Sequence, residues 1–260
     1  MDSLVFDIET VPDTDLGQQL LGLSGIADED VAKAMFFNQM QSTGSDFLPL
    51  FQHRIIAISV ALRQGDSFAV WSLGEPGSSE AELIERFYSG IERYRPTLVS
   101  WNGGGFDLPV LHYRALKNGV QAAAYWEMGD NQREYRYNNY LSRFHWRHID
   151  LMDVLAGFQG RARARLDAIA VMLGLPGKLG MSGDQVWDTY RAGGLDKIRD
   201  YCETDVLNTH LVFLHFEFMR GHLDAASLAA EQDKVRRVLE DSNAPHLTEF
   251  MRAWAAASAG

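Results

Sequence analysis

The chain opens on an alternating pattern. Leu4, Phe6 and Ile8 fall on one side of an extended segment, and Val5, Asp7 and Glu9 on the other, which predicts a strand over 3–8. Ile55–Leu62 is almost continuously apolar and predicts a buried strand. A turn at Arg63-Gln64-Gly65-Asp66 leads into a further strand over Ser67–Leu73. These three make an antiparallel start. The period then changes to that of a helix over Ser79–Tyr94, with Leu83, Ile84, Phe87 and Ile91 on one face. Thr97–Trp101 predicts a fourth strand. A helix from Asp107 follows, with Pro109 early in it and Asn118-Gly119 at its end. A short strand over Trp146–Ile149 and a largely helical remainder from Leu151, including a helix over 195–219, complete the pattern. Residues 222–260 predict one or two helices packed outside the core, ending in an alanine-rich frayed tail.

Composition changes this picture little. At 260 residues the chain is long enough for a substantial core. The net charge of −11 lacks the basic footprint usual for nucleic-acid binders. A centre built of carboxylates starts acidic, however, and bound cations reverse its local sign. Cys202 is the only cysteine, which excludes an internal disulfide and a zinc finger; it reads as a packing residue. The longest apolar runs are too short to span a membrane. With no basic region and long apolar stretch at the start, a cytoplasmic enzyme without a signal peptide is expected.

The chemistry lies in three acidic signatures. In Phe6-Asp7-Ile8-Glu9-Thr10 the strand period puts Asp7 and Glu9 on one face. Two adjacent carboxylates repel unless a cation lies between them, and hard oxygen ligands suit Mg2+ or Mn2+. In Trp101-Asn102-Gly103-Gly104-Gly105-Phe106-Asp107, three glycines allow backbone shapes or close approaches that other residues resist, and Asp107 starts a helix. In Tyr201-Cys202-Glu203-Thr204-Asp205, Tyr201 and Asp205 are four apart and share a helical face. Taken singly, each has an ordinary alternative: surface acids, a helix cap, a buried tyrosine. Together they supply four carboxylates and a phenol that can orient a water or help take its proton, the equipment for two-metal phosphodiester cleavage.

The order D-x-E, N-x-x-x-F-D and Y-x-x-x-D, carried here by Asp7/Glu9, Asn102/Phe106/Asp107 and Tyr201/Asp205, resembles the tyrosine branch of the DEDD exonuclease superfamily. The surrounding sequence most resembles stand-alone bacterial proteins related to the proofreading exonuclease domain of family B polymerases, over about residues 1–220. The resemblance implies an α/β, ribonuclease-H-like fold: a mixed five-stranded sheet flanked by helices, here with a helical C-terminal extension over 221–260. It implies 3′-to-5′ release of nucleoside 5′-monophosphates with two Mg2+ or Mn2+ ions held by Asp7, Glu9, Asp107 and Asp205, and a water oriented by Tyr201. Thr10, Asn102 and Phe106 would lie near the substrate strand, and Lys178 stands loosely where related domains place a lysine that reaches the scissile phosphate. Residues 12–50 depart from the pattern as a long insert, read as a lid or wedge at the substrate end or as a decorative helical excursion.

Asn131–His148 interleaves Arg133, Arg136, Arg143 and Arg147 with Tyr135, Tyr137, Tyr140, Phe144 and Trp146. Such a mixture suits a groove for a single strand, or equally an aromatic loop with a solvated arginine fringe. Asp150 is either a support near the site or a helix cap. The expected substrate is the 3′ end of single-stranded DNA, favoured over RNA through the resemblance alone. The competing readings are an exoribonuclease, a non-catalytic 3′-end-binding subunit of a polymerase or repair complex, and a small-molecule phosphohydrolase.

Overall fold

The computed structural model describes residues 2–257. Five strands, β1 (Ser3–Pro12), β2 (His53–Gln64), β3 (Ser67–Ser72), β4 (Thr97–Ser100) and β5 (His148–Asp150), form one sheet in the order β3-β2-β1-β4-β5. β2 runs antiparallel to both β1 and β3, while β4 and β5 run parallel to β1. This mixed sheet flanked by helices is the α/β architecture expected.

Helices α3 (Glu80–Tyr94) and α4 (Asp107–Asn118) cover one face. Leu4, Phe6 and Ile8 pack there with Leu83, Ile84, Phe87 and Leu111. The long helix α8 (Leu195–Met219) covers the other face, where Val5 and Val99 meet Val206, Leu207 and Phe213. The alternation in β1 therefore divides two hydrophobic cores, with Asp7 and Glu9 on the α8 side.

Several elements differ from expectation. β1 continues to Pro12, four residues past the expected end, because β2 begins early enough to pair with it as far as His53. β5 starts at His148, and its short hydrogen-bonded register with β4 runs through Asp150. The stretch after Leu151 is largely helical as expected, though α5 (Leu151–Leu155), α6 (Leu166–Met172) and α7 (Val186–Arg191) are short and separated by glycine-bearing loops. Residues beyond 221 do not sit outside the core. Helices α9 (Ala225–Glu240) and α10 (Pro245–Ala257) bury Val235, Leu239, Phe250 and Trp254 in the α8-side core, and Glu231 of α9 pairs with Arg63 of β2 at 2.6 Å. The alanines up to 257 are helical, and the rest of the expected frayed tail lies outside the described residues.

The insert folds as two helices, α1 (Thr14–Leu21) and α2 (Asp28–Thr43). They share a small core of Val31, Met35 and Leu48 with Leu21 and Phe36. Asp13 caps α1 by accepting from the Leu16 amide and is also fully buried against Arg114 of α4. Arg114 in turn pairs with Glu80, which accepts the Ile55 amide, so one buried ionic network ties the insert to α3, α4 and β2.

Candidate active site

β4 pairs with β1 only along Ser3–Val5. Beyond that point β1 overhangs, and its amides on that side lack a strand partner. The loop leaving β4 crosses this open edge and delivers α4, whose first residue, Asp107, accepts the Ile8 amide at 3.1 Å. Asp107 is thereby brought beside Asp7, and α8 lays Asp205 and Tyr201 over the same place. Three elements far apart in sequence thus bring Asp7, Glu9, Asp107, Tyr201 and Asp205 together.

The charges are strained. Burial, then the carboxylates of Asp107, Glu9 and Asp205, push Asp7 well above the usual range. Burial, then Asp205 and Asp107, do the same to Glu9, opposed by Lys178. Burial lifts Asp107 to about 7 and Asp205 to about 6, the latter opposed by its bond from Tyr201 and by Lys178. Tyr201 is itself raised, by burial and then by Asp205 and Glu9, so its phenol keeps its proton. Cys202 is buried with its thiol 3.5 Å from both the Asp7 carbonyl and Oδ2, and burial holds it protonated.

This donor set fits divalent cations. Ligand atoms of Asp7, Glu9 and Cys202 lie within 4.8 Å of one another. The thiol keeps its proton, leaving hard carboxylate oxygens, which favour Mg2+ or Mn2+ over soft metals. Because these carboxyls have folded-state pKa values above their unfolded values of about 4, the metal-free fold keeps their contribution at acid pH and loses it as pH rises through about 6 to 7. The rise in melting temperature on adding Mn2+ is therefore expected to be larger at about pH 8 than at about pH 5. Thermal melts with Mn2+ or EDTA check this, and equal rises at both values would contradict it.

The glycine loop works differently from expectation. None of Gly103, Gly104 and Gly105 has positive φ; the left-handed residue is Asn102, at φ 65°. The glycines are needed for close approach within the protein. A Cβ on Gly103 would lie 2.5 Å from that of Ser100, and one on Gly105 would lie 2.6 Å from Asn102 Oδ1. Asp150 organises the turn: its two oxygens accept the Asn102 and Gly104 amides, each at 2.9 Å, while Oδ1 also caps α5 through the Asp153 amide. Both sequence readings of Asp150 thus describe one side chain.

Two cavities meet at Asn102. One, of about 320 Å3, is bounded by Trp101, Arg165, Lys178, Tyr201 and Asp205. Lys178 stands with its Nζ 5.7 Å from the centre of the Tyr201 ring. The other, of about 840 Å3, has Glu9 and Thr10 on one side and Trp187 of α7 on another. A group of rings forms part of the rest of its wall. His53 and Phe106 meet edge to face at 5.2 Å, and Phe47 lies 5.3 Å from His53 and 5.8 Å from Phe106. Thr10 is bonded to His53 at 2.9 Å. Sequence reasoning missed Phe47 and His53. Their signal was the pairing of β1 with β2, which sets His53 opposite Pro12 and brings the end of the insert beside the first acidic motif.

The aromatic, arginine-bearing segment does not form a groove at this site. Tyr135 and Tyr140 are fully buried, Tyr140 donates to the Pro96 carbonyl, and Arg147 stacks over Tyr135 at 4.1 Å. His148 is level with Leu4 in the sheet. At about 3.3 Å per residue, the level of Arg147 lies roughly 13 Å along the strands from that of Asp7. The reading as a packed loop describes these residues. Among the later arginines, Arg163 and Arg165 do line the two cavities. His145 accepts the Asn139 amide and His148 bonds Ser100, both structural uses.

The family described as predicted 3′-5′ exonuclease related to the exonuclease domain of PolB matches residues 45–254. The chain belongs to this family. The matched stretch of this PolB-related exonuclease includes Asn102–Asp107, Tyr201 and Asp205, and leaves out β1 and nearly all of the insert. The family B DNA polymerase from the hyperthermophilic archaeon Pyrobaculum calidifontis superposes with a TM-score of 0.53 over 92% of this chain, at 18% identity, a likeness of fold. DNA polymerase 1 of Sulfurisphaera ohwakuensis is 49% identical over 43 residues, 16% of this chain. The chain spans only 28% of the first polymerase and its match only 5% of the second. Among the described residues no helix is long and apolar enough to cross a membrane.

Proposed function

We propose that this exonuclease removes nucleoside 5′-monophosphates from the 3′ ends of single-stranded DNA. The observation that carries the reading is the convergence of Asp7, Glu9, Asp107 and Asp205, like charges of which Glu9 and Asp107 are buried and Asp7 and Asp205 half-buried, beside a cavity of about 840 Å3. That volume lies in the range of small-ligand pockets.

Asp7, Glu9, Asp107 and Asp205 would hold two divalent cations, which when bound supply Lewis acidity to the attacking and leaving oxygens of an in-line displacement. Asp7, which interacts with all three other carboxylates, would be a ligand common to the site. Tyr201 keeps its proton and shares a helical face with Asp205, so it would orient the attacking water and leave proton acceptance to the carboxylates. Lys178, the cation that opposes the charge of Glu9 and Asp205, would offer its charge to the scissile phosphate. Glu9, Asp46, Asp184 and Asp188 outnumber Arg163 around the larger cavity and disfavour phosphates there. It suits a neutral base and sugar, with the terminal base stacked on Phe47 and Phe106 and the phosphates left at the metal end.

The test uses 5′-labelled single-stranded DNA and matched RNA, each with Mn2+, Mg2+ or EDTA. A metal-dependent ladder shortening from the 3′ end, faster on DNA, is expected. Faster RNA trimming would give the exoribonuclease, and no degradation with bound metal would sink the enzymatic reading for this chain. Within this reading, Phe47→Ala is expected to lower kcat/KM for a normal 3′ terminus by roughly tenfold or more, since stacking is worth about 1–3 kcal/mol per base. On a substrate with an abasic terminal residue the variant and wild type should cleave alike. An equal loss on both substrates would remove Phe47 from base contact.

A further inference from the structure

The C-terminal helix α10 reaches the catalytic helix through a chain of directional bonds. On α8, Arg199 and Glu203 are four residues apart and share a face. Two residues of helix turn through about 200°, so this face is opposite the one carrying Tyr201 and Asp205. Arg199 donates to the carbonyls of Leu73 and Gly74 at the end of β3. Glu203 uses both oxygens: Oε1 accepts from the Ser72 hydroxyl at 2.7 Å, and Oε2 lies 2.8 Å from Nε2 of His246. Nδ1 of His246 lies 3.1 Å from Asp200, one turn earlier on α8. With its hydroxyl hydrogen committed to Glu203, Ser72 accepts from the Ser59 hydroxyl at 2.9 Å, and Ser59 is directly opposite Asp7 in the β1–β2 register.

A connected path therefore runs from α10 through α8 and β3 to the strand residue paired with Asp7. Apolar contacts hold a helix against a sheet but let it slide and rotate. A carboxylate bonded at both oxygens, to a strand on one side and a helix on the other, fixes position and rotation together. The side chains of His246 and Glu203 are only 15% and 14% exposed, so water does not substitute freely for either partner.

We infer that His246 is a positioning residue, which through Glu203 sets the placement of α8 on the sheet and so aims Tyr201 and Asp205 at Asp7. The C-terminal extension is then part of the catalytic unit. Displacement of a metal ligand or a water-orienting group by a fraction of an ångström is enough to impair both metal binding and turnover.

The full chain is compared as wild type, His246→Ala, His246→Gln and Leu247→Ala. Leu247 is a buried core residue of the same helix, so its truncation loosens α10 without touching Glu203 directly. Mn2+ affinity is read by calorimetry, and kcat and KM on a single-stranded oligonucleotide are read separately, all well below the melting temperatures. His246→Ala is expected to weaken Mn2+ binding and lower kcat by about tenfold each, with KM nearly unchanged. His246→Gln, which keeps a donor for Glu203, should recover most of both, and Leu247→Ala should lose melting temperature while keeping both within about twofold. Equal losses in His246→Ala and Leu247→Ala, or no loss in His246→Ala, would overturn the inference. Should His246→Ala fail to fold, Ser72→Ala breaks the link at its other end and carries the same comparison. The turnover arm rests on the exonuclease reading, whereas the calorimetric arm does not. A wild-type chain that binds Mn2+ but cuts nothing would sink that reading, and the ratio of affinities would still decide the role of His246. A wild-type chain that binds no Mn2+ would overturn both.

Discussion

Asp7→Ala is expected to reduce metal-dependent nuclease turnover by on the order of 1,000-fold or more, while leaving the metal-free protein as stable as wild type or slightly more so. The two halves have one cause. Asp7 is the carboxylate that burial and all three neighbouring acids disfavour. Its removal takes the central oxygen ligand from the cluster, and losing a single preorganised electrostatic group from such a site commonly costs 10²–10³ or more. Without metal, the same removal relieves like-charge repulsion and the cost of a buried carboxylate, a trade of stability against activity common at catalytic centres. Turnover on a labelled oligonucleotide and melts in EDTA, run side by side, check both halves. A variant that is inactive and also much less stable without metal would show that Asp7 supports the fold, and the cluster would lose its reading as a strained metal site.

Arg114→Ala is expected to cost about 3–5 kcal/mol of stability, the usual consequence of removing one partner from a buried ionic network. For a chain of this size that corresponds to a fall of roughly 10 °C or more in melting temperature. The Arg114 side chain is 2% exposed and stands between Asp13, which is fully buried, and Glu80. Truncation leaves both acids with too few partners. Lys117 still reaches Asp13, but its own side chain is 46% exposed and it does not pair with Glu80. The loss should appear first in the insert, since Asp13 caps α1 and Arg114 is its tie to α4. Hydrogen exchange over residues 13–43 should therefore accelerate more than exchange in β1. Uniform acceleration would place Arg114 in the global core rather than in the anchor of the insert.

Much of the placement of acidic groups follows from local backbone geometry and was legible for that reason. The period of β1 puts Asp7 and Glu9 together on the α8 side and Leu4, Phe6 and Ile8 on the other. The helical period puts Tyr201 and Asp205 together, and each shifts the titration of the other. These are relations between residues two or four apart, and no tertiary partner has to be known to state them. Glu203 shows the limit of such reasoning. It faces away from Asp205, as the period requires, and its partners Ser72 and His246 come from β3 and α10.

By itself, then, the sequence determined the two faces of β1, the succession of strands and helices from β1 to β4 apart from the insert, and which acids share a face within one element. The tertiary structure alone decided which elements meet, because that depends on strand order and on the sheet end from which each loop leaves. β4 stops at the level of Val5, so the Ile8 amide is free for Asp107. β2 pairs with β1 to its very end, so Phe47 and His53 stand beside Glu9 and Thr10. β5 enters the sheet from its opposite end, so Tyr135, Tyr140 and Arg147, which have the composition of a nucleic-acid groove, are spent on packing around Pro96 instead. Composition records what a segment is able to contact; the distance of roughly 13 Å along the strands, which no local pattern encodes, settles what it does contact.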